Sequence, residues 1–467
     1  MSSAVIPHEL VYEPAPLPLA SRIRRVKFES SEGIATQGGI SKIHIQKGRS
    51  QFMNCKNSWL NFSVNATVGG LLLPISGDNT NNENCILDPS GLAACISKIE
   101  LYSDNQPVSV ISDYNKIYSM LQVAQANPSS SGIRSLATGS AYERSGGAGG
   151  CFLFGNNIIA NYGNVLSGST ATLSKMPMMS ASLPLLGILG SANIPLSEIT
   201  GGLTIHITWT NRIRNFIYGL ATTTTPVEII ESDSSFNFTN VSFEAEITTM
   251  DDSSQLEIEK ENNFKQDPIM WSDVQYYATP QTYSATELST TQQISTLIPS
   301  MRWTSLQSLY VGAFDNKTIG SNVSATPFNL PHIFFDEWRI RVGGIEYPKN
   351  WIDTLPQMVN HTMTCYSNVS QSVTGGLMLQ NFTSRNYRTP VTLDAVPLAN
   401  DRGVAGINLE SFPQILAISG LDTKTVDTEF QARIVSTTAT TQPLTVYFLS
   451  VHNVVYTISD GVLRVSD

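Results

Sequence analysis

The chain has 467 residues, a formal net charge of -10 and only 14% charged residues. This length exceeds one ordinary hydrophobic core and predicts two large domains. The charged fraction lies well below the roughly 25% of an average domain, and Thr, Ser and Asn are abundant instead, which favours strands and turns over helices. Because the chain is acidic, it is poorly suited to wrapping nucleic acid through its phosphates, so any basic contact must be local.

The cysteines argue against a disulfide framework or a zinc site, because there are five of them and no C-x-x-C pair. We interpret them as free thiols in a reducing compartment. The first thirty residues contain no apolar core of signal-peptide length, and no stretch reaches the roughly 18 apolar residues of a membrane helix. The sequence therefore predicts a soluble chain that is made inside the cell without a signal peptide.

Residues 1–30 are predicted to form an extended N-terminal arm, since spaced prolines between Val11 and Pro18 favour extended backbone. The arm ends in the one dense basic cluster of the chain, which is Arg22, Arg24, Arg25 and Lys27. This cluster could make a weak contact with a nucleic acid or an anionic membrane surface. The alternative is that apolar neighbours dock the segment and the charges are merely solvated, because four charges are few for phosphate binding. Those neighbours are Ile23, Val26 and Phe28.

One stretch of the chain occurs twice. Ser97–Leu121 has the pattern of a strand, a turn, a second strand and a short helix, and Phe335–Met363 repeats it at a constant offset (340 − 99 = 241). Asp104-Asn105 supplies the turn in the first copy, and Gly343-Gly344 supplies it in the second. The offset predicts that four positions of the first copy match four of the second. The pairs are Ile99 and Ile340, Leu101 and Val342, Tyr114 and Leu355, and Leu121 and Thr362.

Both copies end in a predicted amphipathic helix of about two turns. Its apolar face is formed by Tyr114, Ile117, Tyr118 and Leu121 in the first copy, and by Leu355, Met358, Val359 and Met363 in the second. The candidate caps are Ser112 or Asp113, and Asp353 or Thr354. Pro356 lies where a first-turn proline is tolerated. The chain therefore reads as one β-rich unit used twice.

The repeat sets the expected domain organisation. A first unit covers 31–250 and contains a long polar loop at 125–175; a charged connector covers 251–265; a second unit covers 266–467. The strongest strand pattern is Leu203–Trp209, and the apolar parity shifts around Asn240 as a β-bulge would cause. A second polar loop at 367–386 follows the second helix, as the first loop follows the first.

A search for chemistry finds no motif of catalysis, phosphate binding or dinucleotide binding. The glycine cluster 146–150 lacks the G-K-[ST] ending, and the polar stretch 77–83 has too few spaced carboxylates for calcium. His206 has no second ligand at metal spacing. The neighbouring carboxylates Asp251-Asp252 and Asp336-Glu337 would point to opposite faces of a strand. We therefore assign no catalytic, cofactor-binding or metal-binding residue and expect no enzyme.

Four segments resemble the double jelly-roll major capsid proteins of adenovirus-like, virophage and polinton-like viruses. The first is IELYSDNQPVSVISDYNKIYSML, a strand pair followed by a short helix, and the second is ASLPLLGILGSANIPLSEITGGLTIHITW, a Leu-Pro-Leu segment before a long strand. The third is RVGGIEYP in the second copy, and the fourth is GINLESFPQILAISGLDT, before the final strands. Together the four segments span both halves of the chain.

The resemblance implies an all-β fold of two tandem eight-stranded antiparallel jelly rolls, each with a short helix. It implies a major capsid protein of the virion: a homotrimer with a nearly hexagonal base that tiles an icosahedral shell and contacts neighbouring capsomers, penton proteins and minor capsid proteins. The basic cluster would then face the genome or an inner membrane. The alternative from another class is a host-facing attachment or carbohydrate-binding β-sandwich, which differs in copy number and in lattice formation.

Overall fold

The computed structural model describes residues 21–68, 71–73, 85–87, 90–125, 151–152, 179–219, 231–251, 268–283, 294–315, 335–365, 404–410, 420–434 and 444–466. The loops predicted at 125–175 and 367–386, the connector 251–265 and the first twenty residues lie almost entirely outside these ranges.

The first half of the chain is built from fourteen strands in the described ranges. Buried side chains alternate with more exposed ones along strands such as Ile40–Ile45 and Leu203–Trp209, as a half-buried strand requires. The strands are β1 (Ser21–Glu29), β2 (Ile34–Thr36), β3 (Ile40–Ile45), β4 (Gln51–Val68), β5 (Leu71–Leu73), β6 (Cys85–Leu87), β7 (Ile96–Ser103), β8 (Gln106–Ser112), β9 (Cys151–Phe152), β10 (Met179–Leu183), β11 (Asn193–Pro195), β12 (Leu203–Trp209), β13 (Ile217–Gly219) and β14 (Ser234–Met250).

The second half adds nine strands, and three α-helices accompany the strands of the two halves. The strands are β15 (Ile269–Tyr283), β16 (Ile294–Leu297), β17 (Leu306–Asp315), β18 (Phe335–Val342), β19 (Ile345–Ile352), β20 (Ala405–Asn408), β21 (Thr428–Ile434), β22 (Leu444–Ser459) and β23 (Val462–Ser466). The helices are α1 (Tyr114–Gln125), α2 (Ile188–Ser191) and α3 (Leu355–Thr364), and short 3-10 turns cover Gly91–Cys95, Leu196–Glu198, Ile213–Asn215 and Glu231–Asp233.

Each half contains two antiparallel four-stranded arrays with the same connectivity. In the first half the orders are β1-β14-β4-β10, here called the β1 sheet, and β3-β12-β7-β8, here called the β8 sheet. In the second half they are β15-β22-β17-β20, the β15 sheet, and β16-β21-β18-β19, the β19 sheet. Taken in chain order, the eight strands of one half match the eight of the other one for one. The chain is therefore a double jelly roll.

The strand-turn-strand-helix unit predicted to occur twice is present in both halves. Ile99 and Leu101 lie on β7, and their counterparts Ile340 and Val342 lie on β18, which has the same place in its sheet. Helices α1 and α3 begin at Tyr114 and Leu355, which are also 241 positions apart (355 − 114 = 241). Both hairpin turns have positive φ, at Asp104 and Asn105 and at Gly343 and Gly344. They lie 239 positions apart (343 − 104 = 239), so the second hairpin turns two residues earlier than the offset of 241 places it.

The apolar face of α1 is buried as predicted, whereas one residue predicted on the face of α3 is not. Tyr114, Ile117 and Leu121 are at most 4% exposed, but Met363 is 36% exposed and the buried position beside it is Thr362. Thr354 is the N-cap of α3 by its extended backbone, and its side chain makes no capping hydrogen bond. Met358, also predicted on this face, is buried, so the difference lies in the last turn, where the threonine takes the buried position expected for the methionine.

Strand lengths differ from the sequence prediction at the end of the chain. The apolar stretches around Phe448 and Tyr456 were expected as two strands, but β22 runs unbroken through both and pairs with β15 over fifteen consecutive residue pairs, with no shift of register. The expected β-bulge near Asn240 is confirmed: Asn240 has a φ of 55°, and the pairing of β14 with β4 shifts between Thr239 and Ser242.

Candidate assembly surfaces

The contact between the two jelly rolls, here called the seam, buries the outer face of the β15 sheet. Strand β15 contacts β8, α1 and α2, and β23 contacts β7 and β8. Side chains of the second half join the hydrophobic core of the first half at the seam. They include Ala278, Tyr310, Phe314, Leu449, Val451 and Leu463. The core of the second jelly roll, around Trp338, Phe430 and Phe448, is a separate cluster.

Three hydrogen bonds also cross the seam. Ser191 Oγ donates to Asp273 Oδ2 at 2.6 Å, and Gln275 Nε2 donates to the Val108 carbonyl at 3.3 Å. The Leu463 amide donates to Ser103 Oγ at 3.1 Å. The bonds of Gln275 and Leu463 join buried or half-buried groups of the two halves, and they fix one register between the jelly rolls.

The seam also changes the acidity of its polar groups. Burial raises the pKa of Asp273 despite the hydrogen bonds from Ser191 and from the Val274 amide, which lower it. Burial likewise raises the pKa of Asp113, and the positive charge of nearby Lys116 offsets part of this rise. Lys116 stands over the Phe314 ring at 4.4 Å, so the charge of α1 is held against the opposite jelly roll.

The predicted basic cluster lies on β1, at the edge of the β1 sheet. Strand β1 pairs with β14 along its full length, so Ser21–Glu29 is the first strand of a jelly roll, within the region expected as an arm. Val26 and Phe28 pack partly against the core, as the docking alternative expected, whereas Ile23 is 63% exposed. The cluster is thus presented by an edge strand.

Two of the four basic side chains are engaged within the chain. Arg25 lies 4.1 Å over the Trp59 ring, 3.9 Å from Glu244 and 3.7 Å from Glu246. Lys27 is 3.0 Å from Glu29. Arg22 and Arg24 are exposed and form no ion pair with any residue in the described ranges. Arg22 and Arg24 are therefore the two members of the cluster whose charges are not paired within the described ranges.

The outer face of the β1 sheet is a ladder of amides and carboxylates. Asn54 and Asn57 both donate to Glu246 Oε1, at 2.8 and 3.0 Å. Asn61 donates to Glu244 Oε2 at 3.3 Å. The outer face of the β1 sheet is therefore polar, whereas the corresponding outer face of the β15 sheet packs largely apolar side chains against the first jelly roll.

The residues considered for chemistry are scattered. No group of three His, Cys, Asp or Glu residues that could hold a metal ion occurs in the described ranges. The His206 ring lies tilted against the Tyr102 ring, with centroids 4.5 Å apart, and Glu337 pairs with Arg433 at 2.9 Å. Asp251 is exposed, while Asp252 and the glycine and polar stretches 146–150 and 77–83 lie outside the described ranges. Among the described cysteines, Cys55, Cys95 and Cys365 are free thiols.

Sequence reasoning did not find the most unusual buried polar group, His452 on β22. It is 1% exposed, and neither ring nitrogen has a hydrogen-bond partner among the described residues. Its ring lies flat against Trp303, with centroids 3.7 Å apart. Burial lowers its pKa to about 4. Its position between apolar residues 451 and 454 was the one signal that could have revealed it.

No helix in the described parts of the chain is long and apolar enough to cross a membrane. No protein-family profile matches the chain, and no curated protein matches it in sequence.

Solved structures do match. A chain of the PBCV-1 virus capsid has a TM-score of 0.56 at 11% identity and covers 98% of both chains. A chain of the Sputnik virophage has a TM-score of 0.57 at 12% identity and covers 100% of this chain and 93% of that one. The mavirus major capsid protein has a TM-score of 0.51 at 11% identity, covering 100% and 95%. At these identities the likeness shows the fold, which is that of double jelly-roll capsid proteins.

Proposed function

We propose that this protein is a major capsid protein, a structural subunit whose trimers tile an icosahedral virus shell. The observation that carries the proposal is the duplication itself: two jelly rolls of identical strand order packed side by side through an apolar seam. Structures of the same fold, matched over nearly their whole length, come from virus capsids. An enzymatic role receives no support from the arrangement of the described residues.

The proposed oligomer is a homotrimer. Three chains with two similar jelly rolls each present six similar lateral faces, which suits a nearly hexagonal tile. Large obligate interfaces bury upwards of about 2,000 Å², which at roughly 25 cal/mol per Å² of apolar area outweighs the cost of association.

Light scattering behind size exclusion tests this proposal. We expect a species of three times 50.9 kDa that persists on dilution to nanomolar concentration. Electron microscopy of the same sample should show pseudo-hexagonal tiles or shells. A monomer or dimer at micromolar concentration would contradict the capsomer and favour an attachment or carbohydrate-binding module.

Within a virion the trimer would contact neighbouring capsomers, penton proteins and minor capsid proteins. Arg22 and Arg24 are the members of the basic cluster that we propose for a weak contact with the genome or an inner membrane, because Arg25 and Lys27 already have acidic partners. We propose two domains joined by the connector 251–265: the first is 31–250 together with β1 (Ser21–Glu29), which pairs with β14, and the second is 266–467.

We also propose that the polar loops 125–175 and 367–386 lie at the outward end of the trimer. Each loop follows the helix of its jelly roll, α1 or α3, and the equivalent positions of these helices in the repeat support a shared end for both loops. Limited proteolysis of intact particles should cut both loops early and leave the shell intact. Protection in particles combined with cleavage of free trimer would instead place the loops inside or at interfaces.

A further inference from the structure

We propose that residues 301–305 form a latch on the second jelly roll that opens in acid, and that His452 is the group that releases it. The latch lies between β16 (Ile294–Leu297) and β17 (Leu306–Asp315). Its opening is a property of one chain, so the inference does not depend on how the chain assembles.

The latch is fastened first to residues 420–423, which precede β21. The Trp303 amide donates to Thr423 Oγ1 at 3.1 Å, and the Thr423 amide donates to the Trp303 carbonyl at 2.8 Å. The Gly420 amide donates to Ser305 Oγ at 3.1 Å. The two segments therefore form one layer, which is held together by bonds outside the main sheets.

This layer is attached to β22 through two neighbouring residues. The Asn453 amide donates to the Ser305 carbonyl at 2.9 Å, and Asn453 Nδ2 donates to Ser305 Oγ at 3.0 Å. The Trp303 ring lies flat against the ring of His452, with centroids 3.7 Å apart and an interplanar angle of 8°. The Trp303 indole N–H also donates to Ser450 Oγ at 3.1 Å. One of the two attachments therefore depends on a stack against an ionisable ring.

His452 supports this stack best while its ring is neutral. The residue is 1% exposed, and neither ring nitrogen has a hydrogen-bond partner among the described residues. A proton on the ring would place a positive charge there without an acceptor, which is strongly unfavourable. The face of Trp303 attracts a cation, but this attraction offsets only part of the cost. Burial accordingly lowers the pKa of His452 to about 4.

The elements packed against His452 bring no charged group to its ring in the part of the chain that the structure describes, and burial is the one cause of its lowered pKa. The residues paired with His452 are Gln275 on β15 and Leu306 on β17. The latch and 420–423 carry Arg302 and Asp422, and both of these side chains are exposed. The response of the latch to acid should therefore follow His452.

Acid opens the latch without unfolding the sheet beneath it. In the open latch the ring of His452 meets water and regains its ordinary pKa of 6.5, so the open form binds the proton first. Between pH 7 and pH 4 the open population rises about a hundredfold. Strand β22 stays paired with β15 over fifteen residue pairs, because none of these pairs involves the latch. The opening is thus local.

Hydrogen exchange of the protein, measured by mass spectrometry of its peptides, reports this opening at pH 7 and at pH 4 once each rate is corrected for its intrinsic pH dependence. We expect the protection of peptides that cover 301–305 and 420–423 to fall about a hundredfold in acid. Peptides that cover β12 (Leu203–Trp209) in the first jelly roll should keep their protection. In His452→Phe, which keeps an aromatic ring against Trp303 and cannot take up a proton, the fall should disappear.

Two variants serve as matched controls. His361→Gln removes another histidine of the second jelly roll, on α3, and Asp427→Asn removes the carboxylate that pairs with exposed Arg302 at 3.0 Å. Both should retain the fall in protection that the wild type shows. If His452→Phe does not fold, His452→Gln provides the same test, since its side chain is neutral at every pH.

The inference is wrong if the wild type shows no fall in protection at 301–305, or if β12 loses protection to the same extent. It is also wrong if the fall persists in a folded His452 variant or disappears in either control. None of these results bears on the trimer, which light scattering tests separately.

Discussion

At the scale of single residues, His452 shows what a buried titratable group does to a β-sandwich core. Its neutral ring packs on Trp303 like an aromatic residue, and Trp303 is anchored by its indole N–H, which donates to Ser450 Oγ at 3.1 Å. A proton on His452 would be a buried charge without a described hydrogen-bond acceptor, which is strongly unfavourable.

We expect His452 to make the second jelly roll sensitive to acid. Its pKa falls from 6.5 to about 4 in the folded chain, so the unfolded chain binds the proton first and stability drops as the pH falls from 6.5 towards 4. The loss amounts to about 3 kcal/mol at about 1.4 kcal/mol per pKa unit. Thermal unfolding of His452→Phe should show a shallower fall of Tm between pH 7 and pH 4.

The control for His452 is His44→Gln, because His44 is an exposed histidine on β3. This variant should retain the wild-type dependence of Tm on pH. An equally steep fall in His452→Phe would show that other groups cause the acid sensitivity.

Asp273 has the opposite pH dependence, because burial at the seam raises its pKa from 3.8. Stability from this group is present at low pH and is lost as the pH rises through the raised folded-state pKa. We expect Asp273→Asn to raise Tm at pH 7, since Asn can still accept from the Val274 amide and donate to Ser191 Oγ. The gain should vanish near pH 3. The control is Asp104→Asn, in an exposed turn, which should leave the Tm unchanged at pH 7 and at pH 3. A lower Tm for Asp273→Asn at pH 7 would contradict the argument.

At the scale of elements, the two repeat helices are held to their jelly rolls by different chemistry. Helix α1 uses Leu121, which is 4% exposed. Its counterpart on α3 is Thr362, fully buried, whose hydroxyl donates to the Met358 carbonyl at 2.8 Å and accepts from the Gly406 amide at 2.9 Å. The hydroxyl thereby links α3 to β20, a connection that a leucine cannot make.

We therefore expect Thr362→Val to be markedly destabilising although it preserves the shape of the side chain. The change leaves the buried Gly406 amide without its acceptor, which costs about 1–3 kcal/mol. Thr362→Ser keeps the hydroxyl and should retain most of the stability. Denaturant unfolding measures both variants, and equal stability of the valine and serine variants would show that the bond to β20 contributes little.

At the scale of the whole molecule, the seam depends on one glycine in the turn between β22 and β23. Gly461 has a φ of 76°, and its carbonyl accepts from the Thr200 amide of the first jelly roll at 2.8 Å. A Cβ at this position would lie 1.9 Å from Thr200 Oγ1. The turn can therefore approach the first jelly roll only without a side chain.

Gly461→Ala should weaken the seam as well as strain the turn, because left-handed backbone alone costs a non-glycine residue of order 1–3 kcal/mol. We expect a lower Tm and faster proteolysis between the two halves. Gly33→Ala is the control, since a Cβ there meets nothing within 4 Å. Unchanged unfolding of Gly461→Ala would mean that the turn moves away from Thr200 at no cost.

The sequence by itself determined the β-rich class, the duplication and several local features. Alternation along Leu203–Trp209 and the parity shift at Asn240 are local consequences of the pleat and of one inserted residue, so they can be recognised without a partner strand. The constant offset can likewise be read from the sequence, and it placed the counterparts of Ile99 and Leu101 on the equivalent strand of the second jelly roll.

Only the tertiary structure decided which surface each helix face and strand face packs against, because no local sequence pattern contains that information. Met363 and Thr362 are neighbours on the same turn of α3, and only the position of β20 determines that the threonine is buried and the methionine exposed. The basic residues of β1 read as one cluster, but contacts from β4 and β14 neutralise Arg25 and leave Arg22 and Arg24 exposed. The seam, with Asp273 and Gly461 in it, arises because residues far apart in the chain pack together, and strand periodicity carries no information about such partners.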